Sequence, residues 1–267
     1  MRKFTEAIIT KAAIMIIAAL SAFITTPHSH ANTISETRIA IDQGDFTRAA
    51  AMGQSLATAD GFTLAAEALA APVLLGIDDN PKRAAKAAYK FSQAAIELDP
   101  SNVEAHMQAA LALGFITRAS NPISVWRKGL ATDLKEAIDA FELLSPNDAR
   151  VQALRGAWHY GIVRKAGQKR AQKWYEASLV DGDAAYEAAI TLAPNDIIIK
   201  ANYALSLVDS DYQTHKDRAR AMLDNCIATT AQTAIESAVQ ERMKTILKGW
   251  DNQKFIEEKS ARWLDGK

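Results

Sequence analysis

The stretch from Ala188 to Leu207, AAITLAPNDIIIKANYALSL, decides the fold. It begins as an alanine-rich helical pattern, reaches Pro194, crosses a short polar turn and resumes as a second apolar helix. A proline lacks the amide hydrogen that a helix interior needs and disfavours helix at the residue before it, so Pro194 ends the first helix. Asp196 can accept hydrogen bonds from the free amides that begin the second helix. The stretch therefore predicts two helices joined by a tight turn.

The same design occurs twice upstream. AAIELDPSNVEAHMQAALAL spans Ala94 to Leu113, and AFELLSPNDARVQALRGAWH spans Ala140 to His159. The three prolines, Pro100, Pro146 and Pro194, are 46 and 48 residues apart. One helical hairpin cannot bury its own apolar face, whereas stacked hairpins cover one another. Because alternating apolar and polar runs are absent and alanine is abundant, the pattern predicts an all-α fold.

This arrangement resembles the tetratricopeptide repeat superfamily. The resemblance is carried by small, aromatic and proline residues at the hinges and by one glycine turn: Ala95, Pro100, Gly156, Tyr186, Ala189, Pro194, Ala204 and Gly44-Asp45-Phe46. It implies a right-handed superhelical stack of helical hairpins, with insertions and C-terminal capping helices, over residues 32–267. The implied repeats are approximately 34–59, 60–101, 102–147, 148–195 and 196–229, and the capping helices cover 230–267.

The resemblance also implies a concave surface formed by the first helix of each repeat. Mapped from the three prolines, its ligand-contacting positions are Glu104, Met107, Leu111, Arg150, Ala153, Ala157, Ile198, Ala201 and Leu205. These residues are mostly small or apolar, and they do not form the Lys, Asn and Arg clamp of members that bind a peptide carboxylate. We therefore expect either an apolar ligand or a concave face filled by the chain's own inserts, rather than a charged peptide end.

The N-terminus has the pattern of a secretion signal. Arg2, Lys3 and Lys11 precede a run of 13 mostly apolar residues, AAIMIIAALSAFI. Ser29-His30-Ala31 has the small-x-small form of a cleavage site. The run is too short to span a bilayer comfortably, because a spanning helix needs about 20 apolar residues. We expect residues 1–31 to be a signal peptide cleaved after Ala31 and the mature protein to be periplasmic. An uncleaved membrane anchor remains the alternative.

Charge and cysteine content restrict the classes of function. The chain has 31 basic and 31 acidic residues; residues 1–31 remove three basic and one acidic residue, which leaves 28 against 30 and a net charge of −2. This balance argues against a nucleic-acid partner and gives no electrostatic reason to bind an anionic membrane. Cys226 is the only cysteine, so the chain has no internal disulfide. Its place at the end of an apolar helical pattern predicts a buried, inert thiol.

The sequence offers no recognisable catalytic or metal-binding motif. After the predicted cleavage site, His106, His159 and His215 are far apart, and no other histidine or cysteine lies three or four residues from any of them. We therefore expect a non-enzymatic protein without metal or cofactor. His159, between Trp158 and Tyr160, is the residue that would favour an enzyme if it met a carboxylate in a cleft.

Aromatic residues cluster in or beside two inserts between the paired helices, RASNPISVWRKGLATD at Arg118 to Asp133 and Gln168 to Val180. Insertions at the same stage of successive repeats project from one face, which is often the binding face. Exposed aromatic residues beside arginine are typical of recognition surfaces. The candidate binding residues are Trp126, Arg127, Trp158, His159, Tyr160 and Tyr203. The alternative is that these aromatics simply pack against the repeats.

Three functions follow from these patterns. The first is a periplasmic adaptor that binds another envelope protein or a peptide, with no nucleic-acid partner and no stable membrane insertion after cleavage. The second is a periplasmic binding protein that presents a small apolar or amphipathic ligand to a transporter. A large enclosed pocket walled by Trp126, Trp158 and Tyr203 would favour the second function over the first. The third, an enzyme, has no motif in its support.

Overall fold

A computed structural model describes the backbone of residues 28–265 and the side chains from Thr33 onward. The described chain forms fourteen α-helices: α1 His28–Asp42, α2 Phe46–Leu56, α3 Ala59–Leu75, α4 Pro81–Leu98, α5 Val103–Arg118, α6 Pro122–Arg127, α7 Leu130–Leu144, α8 Ala149–Ala166, α9 Gln168–Tyr175, α10 Leu179–Leu192, α11 Ile197–Ser210, α12 Tyr212–Ala228, α13 Ala234–Leu247 and α14 Gln253–Asp265. Residues 28–265 contain no β-strand, so the predicted all-α class is confirmed.

The predicted signal peptide, residues 1–31, lies outside the described residues except for its last four, which belong to the first turn of α1. Its cleavage and its role are therefore not decided by the fold. Within the described part of the chain, no helix combines the length and the apolar character needed to cross a bilayer.

The three proline hinges form as predicted. Asn102, Asp148 and Asp196 are the N-caps of α5, α8 and α11, and each side-chain oxygen accepts a hydrogen bond from a backbone amide two or three residues later, at 2.9, 2.9 and 2.8 Å. The cap satisfies an amide that has no partner within its own helix. Each hinge therefore separates two helices at a defined residue.

Helix α10 is capped by Ser178, whose hydroxyl oxygen accepts a hydrogen bond from the Asp181 amide at 3.0 Å. Asp181 therefore lies in the first turn, where a carboxylate is favourable beside the positive end of the helix dipole.

Helices α8 and α10 approach closely at two glycines. A Cβ atom on Gly156 would lie 2.6 Å from the ring of Tyr186, and one on Gly182 would lie 2.8 Å from the ring of Tyr160. Both tyrosines are buried. The small residue predicted at Gly156 is thus required by the tyrosine ring that covers it.

The last two helices return to the first part of the chain. Helix α13 contacts α1 and α3, and α14 contacts α5 and α11. Arg242 of α13 donates a hydrogen bond to the carbonyl oxygen of Leu75, and Arg118 of α5 donates from Nε to the carbonyl oxygen of Leu264 at 2.6 Å. The Trp263 indole donates to Asn202 at 2.8 Å. These helices were predicted to cover the last hairpin; they also join it to the first helices.

The sole cysteine lies deep in the interior, as predicted. Cys226 is fully buried in the larger C-terminal core cluster, and burial raises the pKa of its thiol to about 12. A thiol with this pKa stays protonated at neutral pH and is a poor nucleophile. The fold is therefore held by side-chain packing and hydrogen bonds.

Candidate ligand-binding site

A cavity of about 280 Å³ lies between α3, α5, α8 and α11, with α13 at its border. Six of the nine predicted concave positions line it: Met107, Leu111, Arg150, Ala153, Ala157 and Ile198. Ala70, Ala71 and Leu74 of α3 contribute further apolar wall, and Ile235 of α13 contributes to it from the C-terminal side. The inserts do not fill this face. The surface that the first helices share is therefore a largely apolar pocket, partly covered by a helix from the C-terminal part.

The remaining predicted concave positions lie outside the cavity wall. Ala201 and Leu205 are fully buried in the core around α11. Glu104 is at the rim, where its carboxylate accepts hydrogen bonds from Arg150 at 2.7 and 2.8 Å. This ion pair joins the starts of α5 and α8, because Glu104 lies in the first turn of α5 and Arg150 in the first turn of α8. The same Arg150 side chain also pairs with Asp148 at 2.6 Å.

Two charge effects at this rim shift pKa values. The hydrogen bonds to Asp148, and then those to Glu104, raise the pKa of Arg150 despite its partial burial. Burial alone would raise the pKa of Asp148, but the hydrogen bonds and the positive charge of Arg150 lower it overall. Both groups are therefore charged at neutral pH, and the rim is held by an ion-pair network.

One polar atom in the cavity wall has no partner. Gln108 is only 3% exposed, and its Oε1 atom accepts no hydrogen bond from any residue that the structure describes. A buried acceptor without a donor costs roughly 1–3 kcal/mol. A hydroxyl or amide of a bound molecule would remove that cost. Gln108 therefore marks one polar contact point in an apolar pocket.

A partly buried cation lies at the polar end of the cavity. Arg118, the last residue of α5, lines the cavity, and its guanidinium lies 5.3 Å from the centre of the Phe115 ring. Burial lowers the pKa of Arg118 to about 10, so it remains protonated at neutral pH. Within residues 33–265, no carboxylate forms an ion pair with it; its recorded hydrogen bonds go to the carbonyls of Trp263 and Leu264. An acidic group would find a desolvated positive charge here.

A second cavity, of about 430 Å³, adjoins the first and is more polar. Arg118, Ala157, Tyr186 and Asn202 line both cavities. Arg164, Lys165 and Gln168 belong to the second alone and bring it to the C-terminal end of α8. Together the two cavities lead from an apolar interior to a polar, mostly basic end.

The six residues proposed from the sequence have different environments. Trp126 is 66% exposed on α6, next to the exposed Arg127. Trp158 is buried, and its indole donates to the carbonyl of Ala131 at 2.8 Å. Trp126 is exposed to solvent, Trp158 and Tyr203 are core residues, and none of the three lines the cavity. The enclosed pocket walled by these residues, which would have favoured a ligand-presenting protein over an adaptor, is therefore not formed by them. Whether any of the six binds a ligand stays a prediction.

The structure does bring Tyr160 and Tyr203 together. Both hydroxyls donate to Asp183 Oδ1, at 2.5 and 2.8 Å, and their rings lie 6.4 Å apart. Burial, together with the hydrogen bond to Asp183, raises the pKa of each tyrosine. Tyr160 also lines the second cavity. This arrangement fixes α8, α10 and α11 relative to one another.

His159 is half-buried beside Trp158, in a polar cavity of about 330 Å³ that is also lined by Arg155 and Asp181. Its Nδ1 atom accepts a hydrogen bond from the Ser178 amide at 3.2 Å, and burial lowers its pKa. Among the residues that the structure describes, no carboxylate is hydrogen-bonded to this ring, and no group of three potential metal ligands is found. The contact that would have favoured an enzyme is thus not formed here.

Sequence reasoning missed the polar residues of the cavity. Gln108 interrupts the apolar run of α5, Arg118 ends it, and Asn202 interrupts the apolar run of α11. A polar residue within an otherwise apolar face is the signal that could have identified them. A polar residue on an apolar face can hydrogen-bond either to a ligand or to a neighbouring helix, and the sequence pattern does not distinguish these two cases.

Over residues 28–265, the fold and this site define an all-α protein with a half-open, largely apolar cavity between its helices and a partly buried arginine at one end. The family model of the regulator of microtubule dynamics protein 1-3 matches residues 68–251, more than half of the chain. The chain belongs to this family. A comparison with the curated proteins finds no match.

The family match corrects the resemblance to the tetratricopeptide repeat superfamily, because the regulator of microtubule dynamics family is a different helical family. Proline-ended helices, capping residues and small contact residues are needed wherever helical hairpins pack closely, so they did not discriminate between the two families. The interval between the hinge prolines is the feature that departs from tetratricopeptide repeats, since it is 46 or 48 residues here against about 34 in those repeats.

Proposed function

We propose that this protein binds a small amphipathic ligand with an acidic group, held in the cavity between α3, α5, α8 and α11. The observation that carries the proposal is the combination of an apolar cavity and the partly buried guanidinium of Arg118 at its polar end. This is the second of the functions expected from the sequence. It is supported by the cavity between the first helices and not by Trp126, Trp158 and Tyr203, which do not line that cavity.

The parts of the site have distinct roles in this proposal. Met107, Leu111 and Ala153 would contact the apolar portion of the ligand, where each buried methylene contributes about 0.8 kcal/mol. Arg118 would pair with the acidic group, and the side-chain amide oxygen of Gln108 (Oε1) would accept a hydrogen bond from a ligand hydroxyl or amide. Few polar groups in a mostly apolar pocket are typical of small-molecule sites.

The test is a fluorescence titration with a dansyl-labelled fatty acid, compared with the alcohol of the same chain. We expect saturable binding and tighter binding of the acid, because only the acid can pair with Arg118. The Ala157→Trp variant should lose binding, because the indole fills the space between the two cavities. Ala51→Trp, at an exposed position on α2, is the matched control. Equal binding by all three proteins, or no binding by the native protein, would overturn the proposal.

The finer architecture belongs to the same proposal. Helices α5, α8 and α11 each present one face to the cavity, as successive hairpins of a right-handed superhelical stack would. The predicted signal peptide would place such a binding protein in the periplasm, where it could present its ligand to a transporter. The family to which the chain belongs is described as regulating microtubule dynamics. The cavity supports ligand binding for this chain, whatever its named relatives regulate.

A second function, an adaptor for another envelope protein, is favoured by a row of exposed leucines. Leu98, Leu144 and Leu192 each stand two residues before a hinge proline and are exposed at the ends of α4, α7 and α10. Equivalent apolar side chains on successive hairpins are suited to a partner that extends along the row. Crosslinking in the envelope fraction should give one product with the native protein and none with the variant carrying serine at all three positions. Identical products from both proteins would exclude this surface.

A further inference from the structure

We propose that the two inserts form a membrane-docking edge, through which the protein binds the surface of an anionic lipid bilayer. We call this edge the insert edge and define it as α6 with the residues that follow it to Gly129, and the chain from Arg164 to Tyr175. The inference goes beyond the proposed ligand and does not depend on it.

The charge of the chain is distributed unevenly at this edge. Residues 122–129 contain two basic residues, residues 164–175 contain five, and neither segment contains an aspartate or glutamate. Of these seven, Arg164 is paired with Asp209 and Asp265. The whole chain nevertheless has a formal net charge of zero. The expectation that charge gives no reason to bind an anionic membrane was drawn from this overall balance, and it does not hold for these two segments.

The tertiary structure brings the two basic segments to the same end of α5 and α8. The Lys165 ammonium group donates hydrogen bonds to the carbonyls of Arg118 and Ser120, at 3.1 and 2.9 Å. Helix α6 begins two residues after Ser120, and α9 begins three residues after Lys165. Val125 of α6 and Ala171 of α9 are buried in the same core cluster. Both inserts are therefore anchored to one core cluster, near the C-terminal ends of α5 and α8.

The outward side chains of the insert edge are of the kinds found at membrane interfaces. Ile123, Trp126 and Trp174 are 68%, 66% and 56% exposed. Exposed basic residues stand near the two tryptophans in the sequence, and none of these forms an ion pair with a described residue: Arg127, Lys128, Lys169, Arg170 and Lys173. Tryptophan favours the headgroup region, and lysine and arginine are attracted to anionic lipids.

This composition favours a bilayer over an acidic protein. A protein interface usually surrounds a buried apolar centre with a polar rim. Here three separate apolar side chains are exposed and have exposed cations near them in the sequence, which suits shallow insertion among lipid headgroups. The second cavity, lined by Lys165 and Gln168, lies at the same end of α8. Docking through this edge would bring that cavity close to the lipid surface.

Vesicle co-sedimentation of the full chain tests the proposal. The native protein should bind vesicles of phosphatidylcholine and phosphatidylglycerol more tightly than vesicles of phosphatidylcholine alone, and added salt should reduce the difference. Neutral vesicles measure any binding through the apolar N-terminal run, which all variants share. The triple variant Lys169→Gln, Arg170→Gln and Lys173→Gln should bind anionic vesicles about 100-fold more weakly, because each cation near the surface contributes about a factor of five.

Two further variants make the result specific. The matched control is Arg83→Gln, Lys86→Gln and Lys90→Gln, which removes three exposed basic residues from α4 and should bind like the native protein. The double variant Trp126→Ala and Trp174→Ala should bind more weakly while keeping the native melting temperature. Equal loss in both triple variants would show a general charge effect and would overturn the proposal. So would the absence of any preference for anionic vesicles, or a loss that appears on a heparin column but not with vesicles.

Discussion

At the scale of single residues, the contact between Gly156 and Tyr186 sets a strict limit on size. Tyr186 is 1% exposed and stacks on Tyr203 with ring centres 4.6 Å apart. Its ring therefore cannot move away from α8 without disturbing a second buried ring. Gly161, one turn further along the same helix, has no heavy atom within 4 Å of the position of its absent Cβ. Two glycines on one helix thus have different roles.

The Gly156→Ala variant should lose about 1–3 kcal/mol of stability, because its Cβ would overlap the Tyr186 ring. Gly161→Ala should be neutral or gain up to about 1 kcal/mol, because alanine favours helix over glycine and meets no neighbour. Urea denaturation of both variants measures the difference. If Gly156→Ala were as stable as Gly161→Ala, the close approach of α8 and α10 would be refuted.

At the scale of elements, the start of α8 combines a helix cap with an ion pair. Asp148 caps α8 through the Arg150 amide and also pairs with the guanidinium of Arg150, which reaches across to Glu104 on α5. One side chain therefore positions both a helix end and its neighbour. Burial opposes the ionised form of Asp148, but the contacts to Arg150 lower its pKa overall.

This lowered pKa predicts a specific acid sensitivity. A carboxyl group whose pKa is lower in the folded state stabilises the fold above its unfolded pKa of about 3.9, and that stability is lost as the pH falls through the folded value. The Asp148→Asn variant keeps a good cap but has no charge. Its urea midpoint should therefore fall less than that of the native protein between pH 7 and pH 3.

Asp79→Asn, in an exposed position between α3 and α4, controls for the change in net charge and should retain the native pH dependence. If Asp148→Asn and native protein lost equal stability on acidification, the ion pair with Arg150 would contribute nothing to the pH dependence.

At the scale of the whole molecule, α13 and α14 connect the C-terminal part to the first helices and partly enclose the cavity. Arg118 makes this connection to α14, because its guanidinium donates to two carbonyls in the last turn of that helix. Such carbonyls have no amide partner within their own helix. Arg118 therefore has two roles: it lines the cavity, and it links α5 to α14.

The Arg118→Ala variant should lose about 3 kcal/mol or more, since each hydrogen bond to a charged group contributes roughly 1.5–3 kcal/mol and the carbonyls are left unsatisfied. Amide hydrogen exchange should accelerate in α14 before it accelerates in α8. Arg262→Ala, a substitution on α14 itself, is the control, because the exposed ion pair of Arg262 with Glu258 contributes at most about 1 kcal/mol. Uniform acceleration in both variants would contradict the proposed link.

Much of the fold could be predicted because its signals are local. The caps at Asn102, Asp148 and Asp196 depend on residues within one turn of chain. The site was harder to predict: six mapped positions do line the cavity, but Gln108, Arg118 and Asn202 were not identified. The surroundings of these three residues come from distant parts of the chain, as in the contact between Asn202 and Trp263.

The sequence by itself determined that the chain is all-α, where most of its helices begin and end, and that Cys226 is buried, because these properties follow from local backbone chemistry and from the spacing of apolar residues. Only the tertiary structure decided that α13 and α14 return to α1, α3 and α5, that the cavity ends at Arg118, and that two basic inserts lie at one edge. These features depend on contacts between residues far apart in the chain. The spacing of the hinge prolines along the sequence does not specify such contacts.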